Sequence, residues 1–119
     1  MSDLRATIDI GSNSVLLLIA QKKDEKYIIL ANESNVTGLG RNLDENGTFL
    51  DVAMEETYEV LKQYTEISKS LGLKPSEIIA TATEASRVSK NAKSFFQSIH
   101  SDFGLSITTI SGEGEAYYS

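Results

Sequence analysis

The sequence predicts a mixed α/β fold built on one five-stranded sheet with helices on both faces. Three apolar, strand-like runs open the chain, and two amphipathic helical stretches then alternate with two more apolar runs. An antiparallel meander of three strands, followed by two strands that helical crossovers add, is the plan of the ribonuclease-H-like fold. This plan predicts the sheet order 3-2-1-4-5, in which strands 1 and 4 are neighbours.

The first predicted strand is defined by alternating polarity. In residues 6 to 10, the apolar side chains of Ala6, Ile8 and Ile10 share one face. Asp9 lies on the other face, next to the end of the strand. We therefore expect a buried strand that presents a carboxylate at its edge.

Two more apolar runs complete the predicted meander. Residues 15 to 20 are apolar on both faces and predict strand 2, and residues 27 to 31 predict strand 3, which can run on toward Val36. Residues 37 to 49 are rich in Gly and Asn and predict a long loop, of the kind that often flanks a site.

Two helices are predicted from apolar residues that recur at helical spacing. The first begins at Asp51, which can cap it, and ends at Gly72. The second has Asn91 as its cap and ends at Gly104. The remaining predicted elements are strand 4, strand 5 and a strand end that leads into the start of a third helix, at residues 77 to 82, 105 to 110 and 111 to 116.

A tight polar turn, Gly-Ser-Asn-Ser, follows the first strand. Gly11 lets the backbone turn sharply, and the N–H groups of Ser12, Asn13 and Ser14 can then point at one anion, as in a backbone nest. A metal ion held by Asp9 would offset the repulsion between its carboxylate and that anion. The pattern indicates a phosphate site; an ordinary hairpin that uses these residues only for turn geometry is the alternative.

The predicted sheet order brings the ends of strands 1, 4 and 5 to one edge. A polar residue lies near each of these ends: Asp9, Arg87 and Glu115. We expect these three side chains to converge on a shared site.

Composition limits the partners that the chain can have. Its 119 residues, 40% hydrophobic and 24% charged, suit one globular core. The net charge of −6, with basic residues scattered along the chain, argues against duplex nucleic acid as a partner. The absence of cysteine excludes disulfides, thiolate metal sites and cysteine nucleophiles. With no long apolar run and no signal-peptide pattern, we expect a cytoplasmic protein without a membrane partner.

Four motifs in order resemble the exopolyphosphatase and guanosine pentaphosphate phosphohydrolase family. They are D-I-G-S-N-S-V from Asp9, L-G-x-N-L at 39 to 43, A-T-E-A-S-R at 82 to 87 with Asn91 after it, and I-S-G-x-x-E-A at 110 to 116. The family domain is longer and has two related halves. The resemblance therefore implies that residues 1 to 119 form a single half-domain of the actin-like, ribonuclease-H-like type, with the second half missing.

This resemblance implies hydrolysis of terminal phosphoanhydride bonds in polyphosphate or guanosine pentaphosphate, usually with Mg²⁺. The implied phosphate-binding residues are Gly11, Ser12, Asn13, Ser14 and Arg87. The implied catalytic residues are Asp9, Arg87 and Glu115. Asp9 and Glu115 are also the implied metal ligands, and Glu115 is the implied base that orients water. Glu113 competes with Glu115 for that role.

Two other functions remain open at this point. A kinase or ATPase of the actin and sugar-kinase group shares the fold, but its first phosphate loop often carries a basic residue, which residues 11 to 14 lack. A non-catalytic phosphate sensor is favoured only by Gly114, which replaces the first glutamate of the family motif.

Because enzymes of the resembled family close a cleft between two halves, we expect the isolated chain to be inactive. An apolar face left uncovered would favour association of two copies of the chain, and a homodimer is therefore the expected assembly.

Overall fold

The computed structural model describes residues 3 to 40, 47 to 83 and 89 to 109. They form a five-stranded sheet whose first three strands pair antiparallel as a meander, while the last two are added in parallel. The strand order is 3-2-1-4-5, which confirms the predicted fold class.

The strands agree closely with the apolar runs of the sequence. Their bounds are β1 (Leu4–Ile10), β2 (Ser14–Lys23), β3 (Lys26–Val36), β4 (Ile78–Ala82) and β5 (Ile107–Thr109). β3 runs on to Val36 as predicted. β4 begins one residue later than predicted, because Pro75–Glu77 forms a short 3-10 helix before it.

Two α-helices follow the meander, α1 (Asp51–Ser70) and α2 (Ala92–Phe103). The predicted cap at Asp51 is wrong. Leu50 occupies the N-cap position of α1, and Asp51 is the first helical residue. The positive end of the helix dipole stabilises a carboxylate at this position. Asn91 is the N-cap residue of α2 as predicted, but its side chain makes no capping hydrogen bond.

The core lies on one face of the sheet. Ile8 of β1 and its register partner Leu17 of β2 are both almost fully buried, as the alternation in the sequence requires. Leu61 of α1 and Ile99 of α2 are buried in the same cluster. Both described helices therefore pack against the same face of the sheet, so the predicted helix on the other face is not among residues 3 to 40, 47 to 83 and 89 to 109.

The opposite face of the sheet carries apolar side chains that are exposed. Leu16 and Leu18 of β2 are 43% and 42% exposed, and Ile79 of β4 is 63% exposed. Central strands in parallel or mixed sheets are usually covered on both faces, so this face has the composition of a surface that packs against further protein. The third helix, predicted to start within residues 111 to 116, lies outside the described residues.

The hairpin between β2 and β3 closes through two residues in the left-handed region. Asp24 has φ 52° and Glu25 has φ 67°, and Lys23 pairs with Lys26 on either side of them. Two consecutive positive φ angles define a type I′ turn, which favours Gly at its second position. Glu25 therefore occupies a strained conformation.

Replacing Glu25 by Gly should raise the free energy of unfolding by roughly 1 kcal/mol, because Gly adopts positive φ without a steric penalty. Urea unfolding of the chain measures the change. The matched control is Glu25→Ala, which removes the same charge without relieving the backbone. Equal stability of the two variants would show that the turn stores no such strain.

Among the helices that the structure describes, none combines the length and the apolar character needed to cross a membrane.

Candidate functional site

The predicted polar turn lies between β1 and β2 and is held by its own backbone. The N–H of Gly11 donates a hydrogen bond to the carbonyl oxygen of Ser14 at 2.9 Å. A Cβ atom at position 11 would lie 3.2 Å from the Ser14 oxygen, which is tighter than ordinary van der Waals contact. Because glycine has no Cβ atom, the end of β1 and the start of β2 can come this close at position 11. We call residues 11 to 14 the Gly11 turn.

A second stretch of chain, residues 37 to 40, packs against the Gly11 turn and is here called the supporting segment. The N–H groups of Thr37 and Gly38 both donate to the carbonyl oxygen of Asn13, at 3.0 and 2.9 Å. The N–H of Gly40 donates to the carbonyl oxygen of Ser12 at 2.9 Å. Three hydrogen bonds thus direct the turn carbonyls toward the protein.

Two N–H groups of the Gly11 turn are left without a backbone acceptor among the described residues, whereas that of Gly11 donates to Ser14. Within the described residues, the N–H groups of Ser12 and Asn13 donate no backbone hydrogen bond. Asn13 is exposed, and Ser12 and Ser14 are half-buried, so a ligand can reach this turn. Exposed N–H groups on consecutive residues form an anion-binding concavity, because their partial positive charges add at one point.

Gly40 is a site residue whose role sequence reasoning missed. A Cβ atom at position 40 would lie 2.9 Å from the Cβ atom of Ser12, closer than real Cβ atoms come. Leu39 beside it is completely buried and anchors the supporting segment in the core. The signal was present in the L-G-x-N-L motif, but a motif does not reveal that its glycine touches a turn almost thirty positions earlier in the chain.

Tyr64 of α1 fixes the start of β2 immediately after the Gly11 turn. Its hydroxyl donates to the carbonyl oxygen of Val15 at 2.8 Å and accepts from Nδ2 of Asn35 at 2.9 Å. Burial raises the pKa of this hydroxyl above its ordinary value, with Glu33 adding to the rise and the Asn35 hydrogen bond opposing it. The sequence identified Tyr64 as a core residue but gave no sign of this polar anchor.

The end of β4 lies beside the Gly11 turn. Ala82 is the register partner of Ile10, and the N–H of Thr83 donates to the carbonyl oxygen of Ile10 at 3.2 Å. The hydroxyl oxygens of Thr37 and Thr83 are buried, and neither has a hydrogen-bond partner among the residues that the structure describes. Buried hydroxyls without partners are unusual, so these two oxygens are polar atoms next to the turn for which the described residues supply no hydrogen-bond partner.

Asp9 occupies the predicted place, exposed beside the C-terminal end of β1. In the described part of the chain, no hydrogen bond or ion pair occupies its carboxylate, and no cluster of three metal-ligating side chains forms around it. Mg²⁺ is commonly held by only one or two carboxylates, together with substrate phosphates and water. In the part of the chain that the structure describes, a single carboxylate beside the Gly11 turn fits this type of metal site better than a site built from protein ligands alone.

The structure brings the strand ends together but does not test the other predicted side chains. β1, β4 and β5 are adjacent, and their register places Ile10 beside Ala82 and Ala82 beside Thr109. Arg87 and Glu115 lie outside the described residues, as do Glu113 and Gly114. Their convergence with Asp9 remains a prediction.

The strand order and the exposed Gly11 turn at the strand-end edge of the sheet define a domain of the ribonuclease-H-like fold. A family model for the Ppx/GppA phosphatase family matches residues 18 to 119. The chain belongs to this family.

Individual relatives agree with this assignment. A Ppx/GppA family member from Aquifex aeolicus, known from its crystal structure, is 38% identical with a TM-score of 0.90, covering 97% of this chain and 37% of that one. An exopolyphosphatase from Cytophaga hutchinsonii is 27% identical with a TM-score of 0.88, covering 96% of this chain and 36% of that one. A bifunctional 3-dehydroquinate synthase/phosphatase from Fusobacterium nucleatum is 36% identical over 119 residues.

The chain matches only part of each relative. It spans 37% and 36% of the two crystallised chains and 18% of the bifunctional protein. These relatives therefore contain substantial further structure beyond the part that resembles this chain.

Replacing Gly40 by Ala should displace Ser12 and weaken phosphate binding, because the added methyl group has no room beside the turn. We expect the KM for polyphosphate in the full-length protein to rise at least about tenfold, since small displacements in a phosphate site are costly. The matched control is Gly72→Ala, which is strained by φ 94° but meets no atom within 4 Å. If Gly72→Ala raised KM as much as Gly40→Ala, the contact with Ser12 would not be the cause.

Replacing Tyr64 by Phe should lower the free energy of unfolding by about 1 to 3 kcal/mol, because the buried Val15 carbonyl loses its donor. The raised pKa means that the folded state holds the phenol proton more tightly than the unfolded state does. This stabilisation is complete below pH 10 and is lost as the pH rises through the raised value. The stability difference between wild type and Tyr64→Phe should therefore shrink above pH 10, and a constant difference would contradict this account.

Proposed function

We propose that this protein, in its full-length form, hydrolyses terminal phosphoanhydride bonds of inorganic polyphosphate or guanosine pentaphosphate. The observation that carries the proposal is the Gly11 turn, in which the N–H groups of Ser12 and Asn13 donate no backbone hydrogen bond among the described residues while the carbonyl oxygens of the same two residues accept from the supporting segment. Membership of the Ppx/GppA phosphatase family supports the reaction class. The substrate and the residue roles belong to the proposal.

Substrate binding is assigned to the Gly11 turn and to Arg87. The N–H groups of Ser12 and Asn13 would donate hydrogen bonds to oxygens of the terminal phosphoryl group. Arg87, carried over from the family motif, would bind further oxygens of the same group through its planar guanidinium. The negative net charge of the chain gives no general attraction for polyphosphate, so these local groups must supply the binding.

The hydrolytic step requires a water molecule aligned with the bond that breaks. Glu115, carried over from the same family, would orient this water and accept its proton as the water oxygen attacks phosphorus. The bond from phosphorus to the bridging oxygen breaks, and the rest of the substrate leaves with that oxygen. Mg²⁺, when bound by Asp9 and Glu115, would neutralise charge on the phosphate oxygens. The turn and Arg87 hold the phosphoryl group in place during this transfer.

The proposal is tested by phosphate release from the full-length protein with polyphosphate, guanosine pentaphosphate or ATP as substrate, each with Mg²⁺. We expect release from one of the first two substrates to be much faster than from ATP. The isolated chain should release little phosphate, because the second half of the cleft is missing. Faster release from ATP would instead favour a nucleotide-hydrolysing enzyme of the same fold, and no release from any substrate would favour a phosphate sensor.

Replacing Asp9 by Asn should raise the Mg²⁺ concentration needed for half-maximal rate at least about tenfold, because an amide is a weaker ligand for this hard cation than a carboxylate. The matched control is Asp24→Asn, the same change in the hairpin turn at the opposite end of β2. Asp24→Asn should leave the Mg²⁺ dependence unchanged. An unchanged dependence in Asp9→Asn would remove Asp9 from the metal site.

A further inference from the structure

The hydroxyl group of Tyr64 connects helix α1 to two neighbouring strands at once. It donates a hydrogen bond to the carbonyl oxygen of Val15 in β2 at 2.8 Å, and it accepts one from Nδ2 of Asn35 in β3 at 2.9 Å. Tyr64 and Val15 are almost completely buried, and Asn35 is half-buried. We call these two hydrogen bonds the Tyr64 bridge.

The Tyr64 bridge attaches to the chain on both sides of the Gly11 turn and its support. Val15 directly follows Ser14, the last residue of the turn. Asn35 pairs with Val15 and stands two positions before Thr37, the first residue of the supporting segment. The N–H of Thr37 donates to the carbonyl oxygen of Asn13 at 3.0 Å. One hydroxyl thus holds both strands at the point where they meet the turn.

The links between the Tyr64 bridge and the turn leave little slack. Ser14 and Val36, the residues between the bridge and the turn, pair with each other. Two peptide units span at most about 7 Å when fully extended, so Asn35 cannot move far without moving Thr37. A displacement at the bridge is therefore transmitted to the backbone of the turn.

A register shift between the two strands gives this attachment a further role. β2 and β3 change register between Ile19 and Ala20, and Leu30 is the extra residue in β3. The hairpin turn at the other end of β2 sets the register only as far as this bulge. Beyond the bulge, the pairing of Val15 with Asn35 must be fixed by local contacts, and the Tyr64 bridge is one that holds both members of the pair.

A tyrosine hydroxyl suits this position because it can donate one hydrogen bond and accept another. Apolar side chains of α1 also pack on the sheet, but apolar packing has no direction, whereas a hydrogen bond depends on both distance and angle. Phenylalanine would fill nearly the same volume and leave the Val15 oxygen and the Asn35 amide without this partner. Loss of the hydroxyl therefore removes the directional contact and keeps the packing.

We propose that Tyr64 and Asn35 are positioning residues for phosphoanhydride hydrolysis: the Tyr64 bridge sets how β2 leaves the Gly11 turn and how β3 enters the supporting segment. It thereby sets where the N–H groups of Ser12 and Asn13 point. This inference rests on the proposed function. It assigns no contact between either side chain and substrate, because the effect passes through residues 13 to 15 and 35 to 37.

The experiment measures kcat and KM of the full-length protein with Mg²⁺, using whichever of polyphosphate and guanosine pentaphosphate the wild type hydrolyses faster. In Tyr64→Phe, we expect KM to rise about fivefold and kcat to fall, because displacing a phosphate site weakens binding and rate together. The matched control is Tyr58→Phe, which removes from the same helix a hydroxyl that bonds Asp102 at 2.7 Å. Tyr58→Phe should leave KM unchanged, and an equal rise in both variants would overturn the inference.

Asn35 is tested separately and in combination with Tyr64. Asn35→Ala should raise KM about threefold, whereas Asn32→Ala, on the opposite face of the same strand, should match wild type. Because both hydrogen bonds share one hydroxyl, the double variant Tyr64→Phe/Asn35→Ala should have the KM of Tyr64→Phe alone. A rise equal to the product of the two single rises would show that Asn35 acts independently of Tyr64, which would overturn the bridge.

A merely structural role for the Tyr64 bridge gives a different result. Partial unfolding lowers the amount of active enzyme and hence the apparent kcat, but leaves the KM of the folded molecules unchanged. An unchanged KM in Tyr64→Phe would therefore overturn the inference and leave the proposed function intact. If Tyr64→Phe does not fold, the KM of Asn35→Ala decides in the same way. A wild-type protein that hydrolyses neither substrate would overturn both.

Discussion

The hydrogen bonds from the supporting segment to the Gly11 turn are the contacts on which the candidate site depends. A hairpin of Gly, Ser and Asn can point its N–H groups in many directions. Here the N–H groups of Thr37, Gly38 and Gly40 occupy the carbonyl oxygens of Asn13 and Ser12. These carbonyl oxygens are engaged by protein, and the N–H groups of Ser12 and Asn13 donate no backbone hydrogen bond among the described residues, so the two N–H groups have the arrangement that an anion can use.

The sheet supplies the second requirement, which is that separate parts of the chain meet at one edge. Parallel pairing of β4 with β1 and of β5 with β4 brings three strand ends together, and the meander places the Gly11 turn at the same edge. Both described helices support this edge from one face. Tyr64 connects α1 to the first residues of β2, and the side chain of Asn91 at the start of α2 bonds Phe49, shortly before α1. The site is thus built from contacts between elements rather than within one motif.

The sequence predicted those features that depend on local pattern. Alternation in residues 6 to 10 determined the buried face of β1, and element order determined the sheet. It did not reveal that Gly40 touches Ser12, nor that the side chain of Asn91 serves Phe49 rather than α2, because both contacts join residues far apart in the chain. The cap predicted at Asp51 was wrong because the N-cap position falls one residue earlier, at Leu50, which has no side-chain acceptor.

The most direct test of the central claim observes the amide groups of the Gly11 turn while an anion binds. In the full-length protein, the amide NMR resonances of Ser12 and Asn13 should shift as short-chain polyphosphate is added, and the shifts should saturate. The amides of Asp24 and Glu25, in the hairpin turn at the other end of β2, should stay in place and serve as an internal control. Unmoved resonances of Ser12 and Asn13 at saturating polyphosphate would contradict the claim that this turn binds the phosphoryl group.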